Sequence, residues 1–384
     1  MILGYYGSEG DQVEIGMPVY MDDINAGGDA EDIRRGIRKL REMEITKKTT
    51  FGLKKTVILI VGKGTREEIT EEVEQGRISI TDKNNYVGII LNEKGNLQDH
   101  IVAKDFAMSG VCNQIIAIGS PSQVSGQFVI VRLELFQKCL VPALIYGLAA
   151  WGSISEVEIN LLERVHGKYL KKVLKLPCST PYAPMIMETG MWTFKERLKY
   201  TTMMLYHEIM NSDDQRKSKE IIMNQVKHDR VENTIYGRVK SIGKEANINI
   251  ANVKVKKSKW KRICKESIIK IMKERLMKEM RDKTKSRIVR EDVWGRKEYI
   301  NKHEGWISIE ALKIRLNMWQ LKMNYKKNED QDLKCPRCKI KEDTTEHVLE
   351  CYSKLKSETL KDNGIGHWEE VVKVFQERLK EDES

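Results

Sequence analysis

The sequence has no apolar run long enough to cross a bilayer. The longest, from Cys139 to Trp151, is about 13 residues and contains Pro142, against the roughly 20 that a spanning helix needs. No secretory leader is expected, because Met1 to Asp11 lacks a basic segment followed by an apolar core. Its 7 cysteines are an odd number in a chain of 384 residues. With the missing leader, this argues against a disulfide framework and sets the expectation of a reducing compartment inside the cell, nucleus or cytoplasm, with no membrane partner. Aromatic residues are few, at 7%, and no internal repeat is visible. There is no Ser-His-Asp or Cys-His arrangement and no endonuclease motif. Gly62-Lys63-Gly64 lacks the rest of a phosphate-loop pattern and reads as a turn. His166, His207, His228 and His303 have no partner at ligand spacing, so each is expected on the surface or as a satisfied core residue.

What is present in excess is positive charge, and it is concentrated. The net charge is +11. From Lys254 to Arg290 there are 16 basic against 4 acidic residues, so this stretch holds all of the excess and the rest of the chain is close to neutral. Such a concentration marks a local anion-binding face rather than general solubility charge. At 32% charged and 40% hydrophobic residues, the chain can build two or three domains with cores, much helix and long solvated faces.

Periodicity orders the chain. Met17 to Ile24 reads as a strand entering a turn, and Asp29 caps an amphipathic helix carrying Ile33, Ile37, Leu40 and Met43. Thr56 to Val61 is a β-branched strand. Tyr86 to Leu91 is another, closed by a turn at Asn92 to Gly95. From about Ile101 helix dominates. Ser155 and Glu158 form a capping box, the stripe from Leu161 to Leu174 follows, and Pro177 stops it. Further helices are expected over Trp192 to Ser212, from Val253 to Met280 with Ile268, Ile269, Met272, Leu276 and Met280 on one narrow apolar face, and from His367 to Leu379. A polar linker, Asn328 to Asp332, precedes a small cysteine module.

Two motifs carry chemistry. In Val19-Tyr20-Met21-Asp22-Asp23-Ile24, adjacent carboxylates at a strand-to-turn junction suit Mg²⁺, which bridges carboxylates and phosphates in phosphoryl transfer. An isolated Asp-Asp pair would simply open a polar loop; here a helix and a further strand follow it. The second motif, Cys335-x2-Cys338-x8-His347-x3-Cys351, has three thiolates and an imidazole at a spacing that closes a tetrahedral Zn²⁺ shell. A helix starting near Thr344 would bring His347 and Cys351 to one face. Four protein ligands make this a structural site. Cys112, Cys139, Cys178 and Cys264 read as small buried or half-buried residues. In the basic stretch, Lys256, Lys257, Lys259, Lys261 and Arg262 could contact phosphates, and Trp260 could stack on an unpaired base.

The segments Gly16 to Ile24 (GMPVYMDDI), Phe51 to Lys63 (FGLKKTVILIVGK) and Asn85 to Ile101 (NYVGIILNEKGNLQDHI) together resemble the palm of non-LTR retrotransposon reverse transcriptases: the carboxylate hairpin, the lysine-bearing strand and the primer-grip hairpin. Arg132 to Trp151 and Leu162 to Glu188 resemble the helical thumb and the region beyond it, and such proteins often end in a zinc knuckle. The resemblance implies an α+β palm remnant (1–105), a mostly α-helical thumb-like region (106–230), a basic helical region (231–327) and a CCHC knuckle with a C-terminal helix (328–384). It makes Asp22 the metal ligand and Asp23 a supporting carboxylate. Tyr20 and Met21 would lie near the primer end, with Lys55 placed to contact the incoming triphosphate. The family also needs an aspartate on an earlier strand, whereas only nineteen residues precede Tyr20. The expectation is therefore a reverse-transcriptase fragment that binds RNA or DNA through thumb, basic helix and knuckle without polymerising alone. The alternative is a non-catalytic nucleic-acid-binding protein retained by a host.

Overall fold

The structure, a computed structural model, describes residues 79–118, 128–229, 231–281, 288–289, 293–303, 305–325, 332–353, 355–361 and 367–383, with 19–20, 23–24, 57–61 and scattered positions between 35 and 48 earlier in the chain. It is mostly helical with a few short strands. Met1–Val102 and Ala103–Ser384 form two compact units, so the three regions set apart in sequence beyond residue 105 lie in one unit.

The described strands are all in the first unit, as three two-stranded ladders. β1 (Val19–Tyr20) pairs antiparallel with β2 (Asp23–Ile24), Tyr20 opposite Asp23. β3 (Val57–Leu59) pairs parallel with β4 (Ser79–Thr81). β5 (Lys83–Tyr86) and β6 (Ile89–Asn92) form an antiparallel hairpin in which Tyr86 faces Ile89. This corrects the single strand expected over Tyr86 to Leu91. Val87 and Gly88 have φ of +48° and +75°, the twist of a two-residue primed turn. A β-branched residue hides that turn from sequence because it rarely adopts positive φ. The Asn92–Gly95 turn exists as well, and it leads into a helix. The buried Asn92 amide donates to Asn96 Oδ1 at 2.9 Å and to Asp99 Oδ2 at 2.7 Å.

The second unit is a helical assembly. α1 (Gln98–Ala117), which begins in the first unit and enters the second at Ala103, and α2 (Phe128–Leu135) are followed by a π-turn (Phe136–Leu140) and the short α3 (Val141–Ile145). The apolar run at Cys139 is thus broken into short pieces, ending at Gly147 with φ +80°. α4 (Glu156–Val173) starts at the expected capping box, with both reciprocal bonds of Ser155 and Glu158 formed. α5 (Tyr182–Thr189) ends at Gly190, φ +63°, where a Cβ would meet the Arg296 backbone nitrogen at 2.4 Å. α6 (Phe194–Met210), α7 (Lys217–Lys227), α8 (Ile235–Ala246) and the 25-residue α9 (Lys257–Arg281) follow. α10 (Glu298–Lys302), α11 (Gly305–Arg315), α12 (Thr345–Tyr352) and α13 (Trp368–Glu383) complete the unit.

α9 shows how a strongly basic sequence is held. Its buried residues are Trp260, Cys264, Ile268, Met272, Leu276 and Met280, one in every four. Each step of four overshoots a full turn by about 40°, so the stripe winds roughly half-way round the helix over this length. Its N-terminal half therefore packs with Met203, Tyr206, Val239 and Ile242 of α6 and α8. α9 also packs against α5. Ile269, expected on the stripe, is only half-buried.

Buried ion pairs tie the remaining helices. Arg315 and Glu188 are both fully buried, joined at 2.6 Å and 3.0 Å. Arg275 of α9 reaches Glu163 of α4 at 3.1 Å and Glu196 of α6 at 2.6 Å. The Arg275 charge is held on despite its desolvation, because the two carboxylates outweigh it. Burial alone would raise Glu196, yet Arg275 and the neighbouring donors keep its carboxyl below the usual range.

Candidate metal centre and basic helix

The chain around Cys335 is folded by its own backbone. Cys335 N–H donates to Lys341 O at 2.8 Å and Lys339 N–H to Cys335 O at 2.9 Å, with Lys339 in the left-handed region at φ +57°. This tight return places Cys335 and Cys338 on one side. Thr344 caps α12, its hydroxyl accepting from His347 N–H at 3.2 Å. One helical turn then presents His347 and Cys351 together, as the spacing predicts.

The ligand atoms of Cys335, Cys338, His347 and Cys351 lie within 4.8 Å of one another. Cys335 Sγ and Cys351 Sγ are 4.0 Å apart, and Cys338 Sγ is 3.3 Å from His347 Nε2. A tetrahedral shell with ordinary zinc bond lengths places sulfur atoms about 3.8 Å apart and sulfur and nitrogen about 3.6 Å apart, so the donor set fits such an ion. The cluster can hold a metal. Backbone N–H groups of Lys341 and Ile340 lower the Cys338 thiol to about 6. Burial and the nearby Cys335 sulfur push Cys351 up to about 11. Neighbouring thiolates oppose each other's ionisation, and a dication at their centre removes that opposition.

The cluster is fixed to the unit by polar contacts that the sequence does not reveal. Asp343, just before α12, meets Arg378 of α13 in a bidentate pair at 2.6 Å and 3.0 Å, both side chains fully buried. Thr345 donates to Asn317 at 2.8 Å. The Arg337 guanidinium lies 4.7 Å from the centre of the Tyr352 ring, whose hydroxyl donates to Glu381 at 2.7 Å. An isolated Arg in a helical sequence reads as surface; only a facing carboxylate in the fold makes it core.

The carboxylate motif is described only in part. The backbones of Tyr20 and Asp23 are the innermost pair of the β1–β2 ladder. Met21, Asp22 and Lys55 lie outside the described residues.

On α9, Lys257, Lys259, Lys261 and Arg262 are exposed, as is Lys256 just before it. Trp260 is a correction. It is fully buried, its indole N–H donates to Met203 O at 3.0 Å, and its ring stacks on His207 at 5.8 Å. It is the largest member of the core and has no free face for a base. Of the four histidines, His228 is exposed and His166, His207 and His303 are buried, but His207 is only partly satisfied, its Nδ1 being buried without a hydrogen-bond partner. His166 is buried with Nδ1 2.9 Å from the Tyr182 hydroxyl, and burial lowers it to about 3. His207 Nε2 meets Val255 O at 2.9 Å. Among the other cysteines, Cys112 and Cys264 are buried, but Cys139 and Cys178 are exposed, against expectation. They sit on outward faces of a π-turn and of the loop after α4.

Among the described residues, no helix is long and apolar enough to cross a membrane. No model of a known protein family matches the chain, and no curated protein or solved structure is significantly similar to it.

Proposed function

We propose that this chain is part of a non-LTR retrotransposon reverse transcriptase whose helical unit binds nucleic acid, with Zn²⁺ in the Cys335–Cys338–His347–Cys351 cluster as a structural ion. The observation that carries the binding reading is the division of α9. It buries one residue in four and leaves Lys257, Lys259, Lys261 and Arg262 exposed. A packed helix with an unopposed basic flank is what phosphate binding uses. The metal cluster supports the structural role of the ion, because its four ligands would close the shell and leave no open position for a reacting water. The sequence resemblance supplies the polymerase assignment. On it, Asp22 and Asp23 would hold Mg²⁺ once an aspartate from a further strand completes the pair of ions. Tyr20, Met21 and Lys55 would line primer and triphosphate.

The test is binding of the full, zinc-loaded chain to an RNA–DNA duplex across a salt series, read by fluorescence anisotropy. Changing Lys257, Lys259 and Lys261 together to Gln is expected to flatten the slope of log affinity against log salt. The change is about 0.9 for each phosphate that is no longer neutralised, on the B-DNA scale. A chain that ignores nucleic acid, or a slope unmoved by the triple change, defeats the reading.

A further inference from the structure

α1 is uncharged on two opposite sides. Ile101, Met108, Cys112 and Ile115 face the core. On the other side Val102, Phe106, Gly110, Gln114 and Ile118 are all exposed, and at steps of four they form one ridge along the helix. Ala107 and Ala117 beside it are exposed as well. Between Val102 and Ile118 the only charged residues are Lys104 and Asp105, and both lie off this face. Asp105 pairs with Lys168 of α4 at 2.9 Å, and Lys104 lies over the Tyr146 ring at 5.3 Å. Phe106 is 86% exposed, the highest value for a large apolar side chain among the described residues. A helix that is apolar all round is ordinarily buried, and no described helix is long and apolar enough to cross a membrane. An exposed apolar face of this kind marks a protein contact.

Gly110 marks where that contact is closest. Glycine within a helix is unfavourable relative to alanine, and the fold around it gives no reason for one. Its φ is not positive, and an added Cβ would meet no atom within 4 Å among the described residues. Open space above a bare backbone, at the centre of the ridge, lets another helix approach. We propose that a second copy of this chain packs here, α1 against α1, about a two-fold axis at Gly110. Beside such an axis a side chain meets its own copy, so any charge would face a like charge. With each copy carrying a net +11, a charge-free face suits self-contact, whereas a foreign partner is selected by complementary charge. The ridge is also symmetric about Gly110. Phe106 and Gln114 lie four residues to either side, and Val102 and Ile118 lie eight, about 12 Å along the helix. An antiparallel copy therefore sets Phe106 towards Gln114 of the other chain and Val102 towards its Ile118, with the ridges of each helix in the grooves of the other. The face is about 24 Å long and about 10 Å wide. That is well short of the roughly 800 Å² per partner of a standard interface, so the dimer is weak and depends on concentration.

Sedimentation of the full, zinc-loaded, nuclease-treated chain over a concentration series tests this. Monomer should pass to dimer with a dissociation constant in the micromolar range. Gln114→Glu, a change of charge at constant size on an exposed position, should raise that constant about tenfold, and Phe106→Glu should abolish the dimer. Gly110→Gln separates contact from fold. It should raise the melting temperature, because glutamine is the better helix former and has room, yet weaken the dimer. If Phe106→Glu fails to fold, Gln114→Glu decides. A chain that stays monomeric throughout overturns the second copy as the occupant of this face. A dimer unmoved by Gln114→Glu and Gly110→Gln overturns the face as the contact. A dimer seen only before nuclease treatment is bridged by nucleic acid and overturns the inference as well.

Discussion

The metal cluster and the α6–α8–α9 core lie in one compact unit yet are held by different means. Around Trp260, stability comes from area: Met203, Tyr206, Val239, Ile242, Cys264 and Ile268 exclude water together, and no single bond dominates. Around Cys335, α12 is only 8 residues long; Val348 and Leu349 are fully buried, and the four ligand atoms within 4.8 Å and the buried Arg378–Asp343 pair add a few directional bonds to that small apolar contact. A region held by area degrades gradually under substitution, whereas one held by a few directional bonds fails when one is removed.

Metal removal should separate the two most strongly. Structural zinc contributes on the order of 10 kcal/mol in small finger peptides. Chelation, or Cys338→Ser, is expected to release one equivalent of metal and to abolish amide-exchange protection over 333–352 while the helical transition of the bundle survives. A metal-free protein with that segment still protected refutes the assignment of the cluster. A bundle that melts along with it means that the two regions share one source of stability. Next in size is Trp260→Ala, expected to destabilise the bundle by about 3–5 kcal/mol through the cavity it leaves. It should leave metal content unchanged, as measured by denaturant melts beside metal analysis. A destabilisation under about 1 kcal/mol, well below the range for a buried aromatic, would mean that Trp260 is not the core residue described. The smallest effect sharpens the comparison from the side of local structure. Ser155→Ala removes one half of the α4 capping box and should lower stability by about 1 kcal/mol, with neither metal nor salt-dependent binding altered.

Much of this is legible in the sequence, for particular reasons. The α4 start follows from Ser155 and Glu158, because the capping box is closed entirely within four residues. The metal cluster follows from ligand spacing, because a turn and one helical turn fix where its four side chains go. The Val87–Gly88 turn is not legible, since a valine at positive φ contradicts local preference. Trp260 reads as a base-stacking residue because its lysine neighbours advertise an exposed face, and only α6 and α8 supply the surface that buries it. The exposure of Cys178 depends on how the loop after Pro177 returns across the helix.

The sequence by itself determined the elements whose causes are local: caps, breaks, helical stripes, ligand spacing and the concentration of basic charge between Lys254 and Arg290. Tertiary structure alone decided which charges became core and which stayed outside. Arg315, Arg378 and Arg275 look like any surface arginine until Glu188, Asp343 and Glu196 are brought opposite them from 127, 35 and 79 residues away. The reason is physical: the worth of a charge depends on its dielectric surroundings and its partner, and both are properties of three-dimensional neighbours rather than of position in the chain.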